Sequence, residues 1–369
     1  MSFNFIDPNE LVQKFWRDAK DMLRNGRYEE AIEQLNQVLI LDTNSDSAYY
    51  NRGLAKNFMG NISGAIADYS RAIDLNPKNA EALFNRGVIR LNGQDLVGAL
   101  SDFNALIDYQ LYRGEDLADI FIARAKVFIE LNSWDDAESD LNAAINHNPG
   151  CAEIYLHKGI ICDHLVDSVN AIRNYTICIN LDAKIALAYY NRGYHKYKSA
   201  LYEEALEDFN RGIEISNEQT PKYQMVLLMR GNIFQRKKKW QEAIKDYTNA
   251  IRLDSKDSKA YFNRAQVRFE VQDLPGAIAD YTLCLSLDNE NTFALYNRGM
   301  AKYDLSDYWG ALDDFDRLIS LESDDGEAYL FRGKVKIKLG NINEACRDFG
   351  KAGELGEATA YDLLKKHNK

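Results

Sequence analysis

The chain has 369 residues, with the hydrophobic set at 46% and Asp, Glu, Lys and Arg at 27%, the balance of a folded chain rather than a disordered one. Its formal charge of −11 argues against general wrapping of a phosphate backbone, so no nucleic-acid partner is expected. No apolar run reaches membrane-spanning length, Met1 to Lys20 lacks the apolar core of a signal peptide, and the five cysteines form no CxxC pair, so the expectation is a cytoplasmic chain with no membrane insertion and no disulfide framework.

In chain order, a small residue recurs at Ala19, Gly53, Gly87, Ala125, Gly159, Gly193, Gly231, Ala265, Gly299 and Gly333, every 34 residues except for two steps of 38. Twelve residues after each comes an alanine: Ala31, Ala65, Ala99, Ala137, Ala171, Ala205, Ala243, Ala277, Ala311 and Ala345. Alanine fills only 38 of the 369 positions, so ten coincidences in ten trials are a pattern. Its physical reading is two antiparallel helices per repeat, crossing where a large side chain would push the backbones apart. Four residues beyond each alanine stands Leu35, Tyr69, Phe103, Leu141, Tyr175, Phe209, Tyr247, Tyr281, Phe315 or Phe349, which gives the second helix an inward stripe. Asn-Pro pairs at 76–77 and 148–149, with Gly60, Gly93 and Gly340, supply turns.

These residues resemble the tetratricopeptide repeat (TPR) family, whose 34-residue helix-turn-helix carries small residues at positions 8 and 20. The resemblance implies an all-α fold, a right-handed TPR α-solenoid superhelix of about ten repeats. Residues 1–11 read as a leader, 12–356 as the array, and 357–369 as a C-terminal capping helix and tail. Four-residue insertions fall near 108–119 and 216–224, where either a helix lengthens by about a turn or a loop grows. So little chain lies outside the array that no catalytic domain is expected, and the chain reads as a non-enzyme with no cofactor.

One departure stands out. Position 7, usually apolar in the family, is basic in nine repeats, as in the Asn-Arg-Gly triplets at 51–53, 85–87, 191–193 and 297–299. Position 23 is acidic in eight, from Asp68 to Asp348, with Gln34 and Asn174 as the exceptions. An opposite-charge ladder follows, inside a repeat or across to the next; exposed, each pair is worth about 0.2–1 kcal/mol.

In the family the first helices line a concave groove, and the resemblance places position 6 there: Asn51, Asn85, Asn191, Asn263 and Asn297. A carboxamide carries a donor and an acceptor, enough to meet one peptide unit of an extended ligand without reading its side chain. Tyr190, Tyr194 and Tyr197, spaced for one helix face, add an aromatic stripe in the sixth repeat that could anchor a peptide side chain. The clamp that holds a terminal carboxylate in some TPR proteins is absent, because no repeat has lysine at position 5, and the groove's charges are mixed. His157, Cys162 and His164 share a helix, but the histidines are seven residues apart, about 10.5 Å along the axis, and do not converge on a metal. The expected function is therefore binding of a protein or extended peptide ligand in the concave groove. The alternative is an assembly scaffold working through its convex face or ends, with self-association open to it.

Overall fold

The structure is a computed structural model that describes residues 8–367. The first seven residues of the expected leader and the last two of the tail lie outside the described residues. The chain divides at Ala183/Lys184 into two compact units. In the first, ten helices follow one another: α1 (Pro8–Arg24), α2 (Tyr28–Leu41), α3 (Asp46–Phe58), α4 (Ile62–Leu75), α5 (Ala80–Asn92), α6 (Leu96–Asp108), α7 (Gly114–Glu130), α8 (Trp134–His147), α9 (Ala152–His164) and α10 (Ser168–Leu181). The second holds α11 (Ala186–Lys198), α12 (Tyr202–Ile215), α13 (Tyr223–Arg236), α14 (Trp240–Leu253), α15 (Ser258–Glu270), α16 (Leu274–Leu287), α17 (Thr292–Asp304), α18 (Tyr308–Leu321), α19 (Gly326–Lys338), α20 (Ile342–Glu354) and α21 (Ala358–His367). No strand occurs among the described residues.

Each odd helix from α1 to α19 pairs with the next even one, and each hairpin stacks on its neighbours within its unit. All ten position-20 alanines have no exposed surface, and every position-8 residue is buried. The reason for the small residue at position 8 is specific. A Cβ added at Gly87 would sit 2.8 Å from the Phe103 ring, and one at Gly231 would sit 2.6 Å from Tyr247. The position-24 ring of the second helix thus lies on the bare backbone of the first helix in the same repeat. Where position 8 is alanine in repeats one and four, position 24 is the smaller Leu35 or Leu141. Size is thus exchanged across the contact in those two repeats, in keeping with a constant packing density; repeat eight is the exception, with Ala265 in the same repeat as Tyr281.

Sharp turns join the paired helices. Position 15 has positive φ in all ten repeats: Gly26, Gly60, Gln94, Asn132, Val166, Ala200, Lys238, Gln272, Ser306 and Gly340. Gly93 lies in the turn between α5 and α6, as expected, and caps α5 with φ −88; the left-handed residue beside it is Gln94 at +64. Second helices open on side-chain caps: Asn61, Asp95, Asp167, Asp273 and Asp307 each accept from the backbone N–H three residues on.

The two insertions are absorbed differently. At the first, α7 runs to 17 residues where α5 has 13, so a helix lengthens by about one turn. At the second, α12 stops at Ile215 and α13 starts at Tyr223, so the loop grows. After the last pair, α21 packs on α20 and sets the Tyr361 ring over Gly353, where an added Cβ would come within 2.7 Å.

Gly231→Ala should destabilise the chain by about 1–3 kcal/mol through overpacking, read from the urea midpoint. Adding Tyr247→Leu, which recreates the Ala–Leu pairing of repeats one and four, should recover part of that loss; purely additive costs would disprove the size exchange. Val166, branched and at φ +59, is strained. Val166→Gly should raise stability by about 1 kcal/mol in thermal or chemical melts.

Candidate functional site

The charge ladder is the most regular polar feature, and its donors point both ways. Arg52 forks onto Asp68 of its own repeat at 2.9 and 2.7 Å, and the same paired contact joins Arg86 to Asp102, Arg124 to Asp140, Arg192 to Asp208, Arg230 to Asp246 and Arg264 to Asp280. Arg298 with Asp314 and Arg332 with Asp348 complete the set. The remaining guanidinium nitrogen crosses to position 25 of the preceding repeat, as from Arg52 to Asn36 at 2.7 Å, Arg86 to Ser70 at 2.9 Å and Arg264 to Thr248 at 3.0 Å. Position 25 was not singled out in the sequence, because Asn, Ser, Thr and Asp alternate there and share only a hydrogen-bonding oxygen.

In six repeats a second cation at position 11 reaches the same carboxylate, as Lys302 does Asp314 at 2.8 Å. The Asp314 side chain has no exposed surface, and the other seven are at most 6% exposed. The weak surface regime expected from sequence does not apply to carboxylates this deep. Burial makes the loss of one partner far more costly than at a surface. Asp314→Ala, which strands Arg298 and Lys302, should cost about 3–5 kcal/mol in equilibrium unfolding; a loss below 1 kcal/mol, as for an exposed pair, would refute this role.

Within each unit, first helices of successive repeats touch, as α5 does α7, α7 does α9, α13 does α15 and α15 does α17, whereas second helices do not meet to the same extent. The first helices therefore crowd on the inner side of each stack. Asn51 and Asn297, both half-buried, use their amide groups to cap carbonyls of their own helices, Ser47 and Phe293, at 2.8 Å each. Asn85 donates to the Tyr50 hydroxyl at 3.4 Å. Asn263 donates to Asn232 at 3.1 Å, and Asn232 in turn donates to Tyr197 at 3.3 Å, so Asn232 joins two of the expected residues. Tyr247 donates to the same Asn232 oxygen at 2.7 Å.

The sixth-repeat stripe needs correction. Tyr190 has no exposed surface and Asn191 only 1%, so neither presents a ligand-facing group. The second insertion explains the burial. Its Ser216 meets the Tyr190 hydroxyl at 2.5 Å, and its Lys222 donates to the Asn191 oxygen at 2.5 Å. From the other side the Tyr190 ring lies on Gly212, where an added Cβ would be 2.4 Å away. Tyr194 and Tyr197 stay half-buried, edge-on to His195 and Tyr202 respectively. Residues placed in sequence by their neighbours on one helix are thus covered by a loop 26 to 31 positions downstream.

Two cavities of the first unit adjoin residues singled out in the sequence. One, of about 720 Å³, opens between α1 and α3 and is lined by Trp16, Arg17, Lys20, Ser47 and Asn51, with Gln13 and Ser45 at its ends. Among the described residues no carboxylate lines it, and Lys20 lies 5.4 Å over the Trp16 ring. Another, of about 480 Å³, surrounds Lys158 and Cys162.

Deeper along the first unit, Glu153 is held at about 2 by the nearby His157 and its ion pair with Lys126, against burial. His157 itself sits 3.6 Å from that carboxylate and has a buried Nδ1 with no partner. His164 instead stacks on Trp134 at 3.8 Å, and Cys162 accepts from Asn174 at 3.6 Å. The three residues considered for a metal thus have three separate surroundings, and among the described residues no group of three such side chains could hold an ion. No helix of the described residues is long and apolar enough to cross a membrane.

In each unit, stacked helical hairpins with small residues at fixed crossings define a helical-repeat solenoid. The family model described as TPR repeat matches residues 22–56, 59–93 and 231–272, and one described as tetratricopeptide repeat matches 122–176. Over these residues the chain carries tetratricopeptide repeats, a kind of repeat that mediates protein–protein interactions. It is similar to Tetratricopeptide repeat protein 6 of Homo sapiens, 29% identical over 154 residues, or 41% of this chain and 29% of that protein. RNA polymerase II-associated protein 3 of Xenopus tropicalis is 33% identical over 99 residues, 27% of this chain and 14% of the relative. The chain therefore spans less than a third of the length of these relatives. Among solved structures, the C-terminal part of a TPR repeat-containing protein from Cytophaga hutchinsonii superposes with a TM-score of 0.51 at 16% identity, covering 66% of this chain and 97% of that one. YrrB, a TPR protein with an unusual peptide-binding site, gives 0.48 at 21% identity over 51% of this chain and 95% of its own.

Proposed function

We propose that the chain is a non-catalytic interaction module that binds an extended peptide segment along the inner, first-helix side, with the cavity between α1 and α3 as its principal seat. The observation that carries this reading is the makeup of that cavity: an aromatic face, two cationic side chains and a carboxamide, with no lining carboxylate to neutralise them. Trp16 offers an apolar platform, Arg17 and Lys20 attract an acidic side chain, and the Asn51 oxygen and the Ser47 hydroxyl can meet the ligand backbone. Asn85 extends the same side in the third repeat. Tyr194, Tyr197, Asn263 and Asn297 are the corresponding candidates in the second unit, reduced by the covering of Tyr190 and Asn191.

Selection of random peptides on the purified chain should enrich sequences with Asp or Glu. The charge reversal Arg17→Glu with Lys20→Glu should weaken the selected peptides by about a hundredfold, with little change in melting, because both side chains are exposed. Asn51→Ala should weaken them by about tenfold. Equal binding by parent and charge-reversed chains would overturn the groove reading and favour a scaffold that works through its outer face or ends.

A further inference from the structure

Repeat five departs from the ladder at three positions together. Position 7 is Lys158 rather than Arg, position 23 is Asn174 rather than Asp, and position 11 is Cys162. Position 11 carries a long cation in six other repeats: Lys56, Arg90, Lys196, Arg268, Lys302 and Lys336. The remaining three fill it with Met22, Phe128 and Phe234, so Cys162 is its single short occupant. Where the side chains are missing there is a cavity of about 480 Å³, with Ile161, Leu165 and Ile177 on its apolar side and both acceptors (Glu138, Asp167, Asn174) and cations (Lys158, Arg173) on its polar side.

The shape of the vacancy identifies what is absent. Asn174 has nearly the outline of the aspartate it replaces, so no space for an anion has opened. The space comes from Cys standing where Lys or Arg stands elsewhere and from Lys158 standing in for Arg. The position-23 carboxylate that the position-11 cation reaches in all six siblings is replaced here by Asn174, while the acceptor at position 16 is retained. In repeats three and eight that arginine lies 3.4 Å from Asp95 and 3.6 Å from Asp273 at position 16. Here position 16 is Asp167, whose carboxylate is fixed by the backbone N–H and side-chain amide of Asn170 at 3.1 and 2.7 Å. Asn174 donates through its nitrogen to the Asn170 carbonyl at 2.9 Å and to Cys162, which turns its amide nitrogen away and leaves its oxygen outside those bonds. Lys158 donates to Asn142 at 2.6 Å and lies 3.5 Å from Glu138, so it is already engaged at the far wall.

We propose that this cavity binds the arginine or lysine side chain of a peptide ligand, with the aliphatic stem on Ile161 and Leu165 and the cationic head at Asp167, Glu138 and the Asn174 oxygen. The ligand then supplies the cation that the fold supplies itself in six other repeats. The site uses positions 7, 11 and 23 rather than the inner positions 2, 6 and 9, so it stands independently of the groove reading.

The test compares three labelled pentapeptides, Gly-Gly-X-Gly-Gly with X as Arg, Glu or norleucine, against the full chain by fluorescence anisotropy. The double variant Cys162→Lys with Asn174→Asp restores the sibling ladder. Cys162→Phe fills the space with the residue found in repeats four and seven, and it settles the matter alone if the double variant fails to melt cooperatively. The Arg peptide should bind the parent chain at least about tenfold more tightly than the Glu and norleucine peptides, and at least about tenfold more tightly than it binds either variant. Equal binding of the Arg peptide to the parent and to Cys162→Phe would overturn the proposal. So would a Glu peptide that binds as well as Arg, or an Arg peptide that fails to bind the folded parent at millimolar concentration.

Discussion

The contact on which the rest depends is an aromatic ring seated on backbone without a side chain. Tyr247 on Gly231, Phe103 on Gly87 and Phe349 on Gly333 bring the two helices of a repeat to a spacing at which the position-20 alanine is also fully enclosed. Burying a ring of this size stabilises each hairpin by about 1.5–3 kcal/mol relative to leaving it exposed. A hairpin of two 13-residue helices has too little interior to fold alone, so this contact must recur and be shielded by the neighbouring repeat.

Close packing does not by itself fix which repeat stacks where. The ladder adds that direction, because each guanidinium holds its own repeat with two nitrogens and the preceding repeat with the third. A planar fork with several fixed donors suits this task, and an ammonium does not. In repeat five, where Lys158 replaces the arginine, the link to the preceding Asn142 survives while the paired contact within the repeat is lost. The same local relaxation leaves the cavity at Cys162.

Periodic features were legible in the sequence, and unique features were not. The ten alanines, the large apolar residues at position 24, and the opposite charges at positions 7 and 23 recur at a fixed spacing, and repetition carries them above chance. Position 25 was missed because four residue types perform one acceptor role there. Position 15 takes positive φ even as Gln94, Val166 and Lys238, where no glycine signals it. Closure of the hairpin, enforced at both flanking helices, overrides the local preference.

The candidate site shows the same division. The chain's own order of residues determined the repeat, its register and the opposite charges of the ladder. Only the tertiary structure decided that Tyr190 and Asn191 are covered, that Trp16, Arg17, Lys20 and Asn51 share one cavity, and that the two insertions take different forms. The physical reason is range: helical spacing and side-chain size act within one hairpin, while Ser216 and Lys222 reach Tyr190 and Asn191 from a loop whose path no periodicity encodes.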